Sequence, residues 1–206
     1  EATNSLIIAD RKSKDNIYFD DLFSEKHNKA ICDKFNIILS NEYPRKNFNF
    51  KNFIELGYSL QEDLAVFHRS NKLIALHVSF PSVWIPKEKI GLSFAAVHQP
   101  VPGMDTFLKN EDKYVQMMVE ATNPIIRYVW GEHYGYFLSE QEPLDPKTKV
   151  MHTERQTFIG VPDHDIGVFL IRKKVMLYKD TSENFKKWYQ KQVDSMSDEQ
   201  KKYKLK

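Results

Sequence analysis

Residues 64–80 read LAVFHRSNKLIALHVSF. Two apolar, partly alternating runs, Leu64 to His68 and Lys72 to Phe80, flank Arg69-Ser70-Asn71. Turn-forming residues between two such runs read as a β-hairpin, which Pro81 ends. A hairpin pairs its strands antiparallel with no crossover helix between them. One such unit in the first half of the chain sets the sheet apart from a doubly wound parallel one.

Upstream, Ser5 to Ala9 reads as a short strand, and Ser24 reads as the N-cap of a helix running to about Leu39, with Ile31, Phe35 and Ile38 on one face. The polar stretch 41–52 reads as a loop. Downstream, Trp84 to Gly91 reads as a turn with a short helix, and Leu92 to Val97 is an apolar run leading into His98. Pro100 and Pro102 then bar both regular helix and central strand. Phe107 to Ala121 has helical spacing, with Phe107, Leu108, Tyr114, Val115 and Met118 recurring on one face. Strand signals follow at Ile125 to Trp130, Tyr134 to Leu138, Val150 to Ile159 and Ile166 to Tyr178, with a loop from Glu140 to Lys149 and a turn over 161–165. Thr181 reads as the cap of a last helix bearing Phe185, Trp188, Tyr189 and Val193. Helices and strands do not alternate one for one, so the expected class is α+β: an antiparallel sheet with flanking helices in a single domain.

Composition agrees. The 206 residues suffice for one domain with an ample core. A net charge of +2, with basic residues scattered, gives no electrostatic case for nucleic acid. The cluster Lys201-Lys202-Tyr203-Lys204-Leu205-Lys206 reads as a solvated end. A single cysteine, Cys32, excludes an intramolecular disulfide and any cysteine-held zinc or iron–sulfur site, and its apolar neighbours point to a buried inert thiol. No apolar run approaches the ~20 residues of a membrane span, and no signal peptide is legible, which gives a cytoplasmic expectation.

Among the seven histidines no pair has HExxH spacing. His27 and His164 lie in polar surroundings and are expected to be exposed; His68 and His77 lie in the hairpin as cross-strand or surface residues. His152 lies near the Glu-Arg-Gln motif and could face the same site. His98 stands apart, because Phe94-Ala95-Ala96-Val97 precede it and a Pro-x-Pro follows. An imidazole in a stiff, dry frame suits a metal or a haem iron. It also suits an ordinary core position. In Thr153-Glu154-Arg155-Gln156-Thr157, strand alternation sends Glu154 and Gln156 to one face and Arg155 and Thr157 to the other. Arg155 reads either as a clamp for a carboxylate or as one half of a structural ion pair with Glu62, Asp63 or Glu154. Arg127 and Trp130 read either as a carboxylate partner with an aromatic cavity wall or as a core indole with a snorkelling arginine. There is no GxSxG, no Gly-rich phosphate loop and no GxGxxG.

Five ordered blocks carry a family resemblance. They are Gln61-Glu62-Asp63-Leu64, then Phe80-Pro81-Ser82-x-Trp84 with Glu88-Lys89-x-Gly91, and His98-x-Pro100-Val101-Pro102. Arg127-x-x-Trp130 is the fourth, and Glu154-Arg155-Gln156-Thr157, followed by Val161-Pro162 and Phe169-x-Ile171-Arg172, is the fifth. Across roughly Phe50 to Tyr178 the chain resembles a family first described only as a domain of unknown function, DUF3445, and now associated with haem-dependent oxidative N-demethylases such as the haem subunit of dimethylamine monooxygenase. The resemblance implies a PAS-like domain over 50–180 holding haem b, with a helical extension over 1–49 packed on it and a C-terminal helix with a basic tail over 181–206. It implies His98 as axial ligand to the haem iron, Arg127, Trp130 and Arg155 at the cofactor, and Arg155 and Glu154 in catalytic roles. The implied reaction is oxidation of a methyl group on a small secondary amine such as dimethylamine, with O2 and electrons from a separate flavin or iron–sulfur reductase using NADPH. A non-catalytic haem sensor or carrier of PAS-like fold is the competing implication. The chain departs from the family's pattern at Val83, at Val129 and over Phe158-Ile159-Gly160, changes that bear on the substrate pocket more than on the fold.

Overall fold

The structure, a computed structural model, describes residues 16–79, 84–98, 109–135 and 144–205. Its centre is a six-stranded sheet in the order β1-β3-β2-β6-β5-β4, in which every pairing is antiparallel. The strands are β1 (Asn16–Phe19), β2 (Asp63–His68), β3 (Lys72–Val78), β4 (Ile125–Tyr134), β5 (Lys149–Val161) and β6 (Ile166–Leu177). With helices on both faces, this is the α+β architecture expected of the sequence. The hairpin lies where its turn residues put it: Asn71 takes the left-handed conformation (φ 61°), which Asn tolerates better than most side chains.

Alternation along the strands sorts the core into two halves. Leu64, Val66, Val168, Leu170 and Ile159 point to one face, where helices α1 (Glu25–Glu42) and α2 (Phe53–Ser59) cover them with Ile31, Phe35, Phe53 and Leu56. Ala65, Phe67, Leu76, Phe158 and Phe169 point to the other. There they meet α3 (Phe94–His98) and α4 (Glu111–Glu120) through Phe94, Val115, Met118 and Val119. Two glycines let α4 come close. A Cβ on Gly167 would lie 2.9 Å from the Met118 carbonyl carbon, and one on Gly160 would overlap the Val119 carbonyl. Gly160 N–H in turn donates to the Ala121 carbonyl at the helix end, 2.7 Å away. Arg69 ties the hairpin turn to α4 and to the β5–β6 turn, reaching Glu120 and Asp165 at 2.6 Å each.

Several expectations need correction. The strand expected over Ile125 to Trp130 and the start of the one expected from Tyr134 merge into the single ten-residue β4, and the stretch 136–138 lies outside the described residues. The strand expected over 5–9 also lies outside them, as do Pro81, Pro100, Pro102 and the first two residues of the helix expected from 107. That helix begins at Glu111, behind a turn at Lys109 and Asn110. β1 and α2 went unread because four and seven residues are too short for a periodic signal. Ser182, not Thr181, caps α5 (Glu183–Asp194), accepting from Phe185 N–H at 3.2 Å. Thr181 instead donates back to the Tyr178 carbonyl. His27 is buried, because its ring closes the α1 capping box against Ser24. His77 is fully buried beneath α2, edge-on to Tyr58. Cys32 is buried as expected, and burial pushes its thiol up to about 11.

The basic tail is the largest correction. It is not a solvated end: it forms α6 (Asp198–Lys204), opened by a capping box between Ser197 and Gln200, and lies against the free edge of β4. Leu205 makes a parallel bridge to Glu132. Lys204 donates to the Trp130 carbonyl at 2.9 Å and its ammonium lies 5.1 Å from the centre of the Trp130 rings. α5 is held on the same strand: Trp188 and Tyr189 pack edge-on against Trp130, and the Tyr189 hydroxyl donates to buried Glu132, which Lys149 also pairs.

Candidate functional site

α3 is only five residues long and would not persist alone. Three side chains from different elements satisfy its first N–H groups. Asn71, from the hairpin turn, accepts from Phe94 N–H at 2.9 Å. Glu111, the first residue of α4, accepts from Ala95 N–H at 2.6 Å, and Ser93 accepts from Ala96 N–H at 3.3 Å. The helix is therefore fixed to both the sheet and α4, and His98 is fixed at its end.

The His98 ring lies on the Phe94 ring, centroids 4.2 Å apart, and its Nδ1 donates to the Phe94 carbonyl at 2.8 Å. A carbonyl can only accept, so Nδ1 carries the proton and the lone pair of the neutral ring resides on Nε2. Burial depresses the His98 pKa, opposed by the Phe94 carbonyl and helped by the charges of Arg127 and Lys89. A neutral imidazole with Nδ1–H anchored to a carbonyl is the state in which histidine ligates a metal.

The same sheet face carries a polar row. Arg127 on β4 is directly opposite Gln156 on β5, and its Nε–H donates to Gln156 Oε1 at 2.5 Å. Gln156 in turn donates to Glu154 at 2.9 Å, one pleat along the strand. Glu154 is opposite Lys173 on β6, and the charges of Glu154 and Asp63 partly offset the depression of the Lys173 pKa that burial causes. Asp63 is itself held by Ser79 N–H at 2.6 Å. Trp84, Leu76, Val78 and Ile171 join Asp63, Glu154 and Lys173 around a cavity of about 50 Å³. Burial lowers the Arg127 pKa, with Glu154 opposing. His152, the next residue on this face, is held neutral by burial and by Lys173, His133 and Lys204, its pKa down at about 3.

Strand alternation thus puts Arg127, Glu154 and His152 on the face that α3, with His98, covers, together with Gln156 and Asp63, and adds Lys173, which the sequence did not single out. Arg155 and Trp130 point to the opposite face. Arg155 is opposite Tyr128 and Arg172 there, and the ion pair with Glu62 belongs to Arg172, at 2.6 Å. Trp130 is a packing surface for α5 and Lys204. The capping set on α3 was also missed. Asn71 and Glu111 are 23 and 16 residues from the N–H groups that they hold, and no local pattern encodes such pairs.

The fold and the row define the class: an antiparallel α+β domain offering one preorganised histidine and a charged strand row on a single face. The chain belongs to the family of haem-dependent oxidative N-demethylase, alpha subunit-like proteins, whose signature spans residues 18–206. No curated protein matches it. The family is named for haem, and the donor set suits that group. Among the described residues no three His, Cys, Asp or Glu side chains gather into a metal cage. The cavity beside this row, about 50 Å³, is far below the ~300–1,000 Å³ of ordinary ligand pockets, so the fit lies in the donors and not in an enclosed volume. No helix among the described residues is long and apolar enough to cross a membrane.

Proposed function

We propose that this chain is the haem-bearing component of an oxidative N-demethylase acting on a small secondary amine such as dimethylamine. In this reading O2 and electrons from a separate reductase convert the N-methyl group to formaldehyde, releasing the demethylated amine and water. Two electrons and two protons balance the second oxygen atom. The observation that carries the reading is the His98 ring, with Nδ1–H held on the Phe94 carbonyl and Nε2 left as the donor nitrogen. Family membership supports it.

His98 would hold the haem iron through Nε2. Haem b, when bound, supplies the one-electron and O2 chemistry. Arg127, steadied by Gln156, faces a ligand carboxylate. Glu154, steadied by the same glutamine, is the partner for the substrate ammonium. The apolar wall of Trp84, Leu76, Val78 and Ile171 excludes water and strengthens each of these charges. A PAS-like cradle, with α3 and α4 lying over the site-bearing face, belongs to the same proposal. Arg155 and Trp130 act in it through the opposite face, as supports of β4 and β5.

The test is a haem titration followed at the Soret band, then formaldehyde measured from dimethylamine with an added reductase. The expected result is a histidine-type spectrum that His98→Ala abolishes or shifts. A protein that takes up no haem, or whose spectrum His98→Ala leaves unchanged, overturns the assignment. Haem uptake without formaldehyde favours a sensor or carrier instead.

A further inference from the structure

The sheet carries a second charged row, on the face turned away from His98. The strand registers set Tyr128, Arg155 and Arg172 side by side on β4, β5 and β6, and Arg172 is joined to Glu62 at 2.6 Å. Residues directly opposite on one sheet face have Cβ atoms ~4.5–5.5 Å apart, and like charges there repel. One carboxylate therefore serves two adjacent guanidinium groups. Arg155 has no hydrogen bond or ion pair among the described residues, and the buried Nε–H of Arg172 has no acceptor. Lys174, one pleat along β6 from Arg172, is on the same face, exposed and likewise unpaired.

These cations border exposed apolar surface. Tyr128 is 73% exposed, and Ile126, one pleat away on β4, is 45% exposed. Trp188, edge-on to Trp130 of the same strand, is also exposed. Helices α1 and α2 cover this face over Leu64, Val66, Leu170 and Ile159, and Tyr128 lies outside that cover.

Two features decide what this face suits. Its charges are cations with no carboxylate to spare, so the complement is acidic. They are spread over strands and mixed with tyrosine, tryptophan and isoleucine, which is the make-up of a protein interface rather than of a pocket for a small anion. A net charge of only +2 for the whole chain gives no general attraction for nucleic acid.

We propose that this face, centred on Arg155 and Tyr128, is the docking surface for an acidic protein. On the proposed function, on which the partner's role depends, that protein is the electron donor. Each reduced donor gives up one electron, which ferric haem takes up, and the donor docks across a single sheet from the face of His98.

The probe is a plant-type ferredoxin, an acidic one-electron donor, titrated into the purified protein. Binding should weaken steeply as salt is raised. Arg155→Glu and Lys174→Glu should each weaken it roughly tenfold, and Tyr128→Ser by a similar factor. Arg155→Lys should keep most of the affinity. Lys113→Glu, the same change of charge on the exposed side of α4, should alter binding by less than about twofold. The glutamate of Arg155→Glu faces Arg172 without repulsion, so the melting temperature of that variant should not fall. In protein that takes up haem, reduction by the ferredoxin should slow in Lys174→Glu and Tyr128→Ser, while reduction by dithionite, which needs no docking, should not. Absence of binding, binding indifferent to salt, or equal losses in Lys113→Glu and Arg155→Glu overturns the docking surface and leaves the haem assignment untouched. Tighter binding of a uridine oligomer than of the ferredoxin gives the face to nucleic acid and overturns it too. Ferredoxin binding at this face by a protein that takes up no haem supports the docking surface and removes the donor role together with the proposed function.

Discussion

Gly131 and His152 are opposite each other on β4 and β5, and the imidazole lies over the glycine where a side chain would otherwise stand. A Cβ on Gly131 would come 2.5 Å from His152 Cε1. The glycine is thus required by the histidine. The ring also lies 5.7 Å from the His133 ring, stacked on it, which limits its retreat on that side. Gly131→Ala should cost about 1–3 kcal/mol through overpacking. Urea unfolding measures it, and Gly131→Ala combined with His152→Ala should recover much of the loss. Additive losses would show that the two positions are independent.

His152 also sets a pH dependence. Its folded pKa, about 3, is below the ordinary imidazole value of 6.5. The folded state therefore refuses a proton that the unfolded chain accepts. The stability contribution is complete above pH 6.5 and is lost as the pH falls from there toward 3. The full loss is on the order of 5 kcal/mol, and burial of His27 and His98 lowers their pKa values with the same sign. Between pH 6.5 and 5 carboxylates contribute little, so the urea midpoint should already fall there. His152→Gln should flatten that part of the curve. A midpoint independent of pH over this window would contradict the burial of the ring.

How much of this was open to a reader of the sequence depends on the range of the interaction. The hairpin, α1 and the two long strands follow from periodicity and turn chemistry, which are local. The division of Glu154 and Gln156 from Arg155 follows from the strand period alone and is what the structure has. His98 stood out because of its neighbours, yet the groups that fix it, Asn71 and Glu111, reach it only through the fold. Lys204 is the extreme case. Composition makes a lysine-rich end look solvated, and only the free edge of β4, set 70 residues earlier in the chain, gives it somewhere to dock.

The Tyr189–Glu132–Lys149 cluster is the hinge on which that docking depends. Glu132 is 5% exposed and accepts from both the Tyr189 hydroxyl and Lys149, while Lys149 lies between the Tyr178 and Tyr189 rings, 4.5 and 4.4 Å from their centres. Tyr189→Phe removes one of two donors to a buried carboxylate and should cost about 1–3 kcal/mol. At ~2–4 °C per kcal/mol the melting temperature should drop measurably. Glu132→Gln should cost at least as much, because it strands the Lys149 ammonium among aromatics. Amide exchange in α5 and α6 should rise in both variants before exchange in β2 or β6 does. A uniform rise would mean that the C-terminal helices unfold only with the sheet.

The two arginines that the sequence placed together, Arg127 and Arg155, should separate cleanly by experiment. Arg127 is on the His98 face, bonded to Gln156 and 5.9 Å from the centre of the Phe158 ring. Arg155 is on the other face, opposite Arg172. If the haem reading is right, Arg127→Met should weaken haem uptake roughly tenfold, as expected for loss of one charged contact, and should shift the His98 pKa upward by removing a neighbouring cation. Arg155→Met should do neither. The pKa shift can be followed by imidazole resonances in protein free of haem, so the geometric claim stands or falls independently of cofactor binding. Equal effects of the two substitutions would mean that the strand alternation does not divide the site as described.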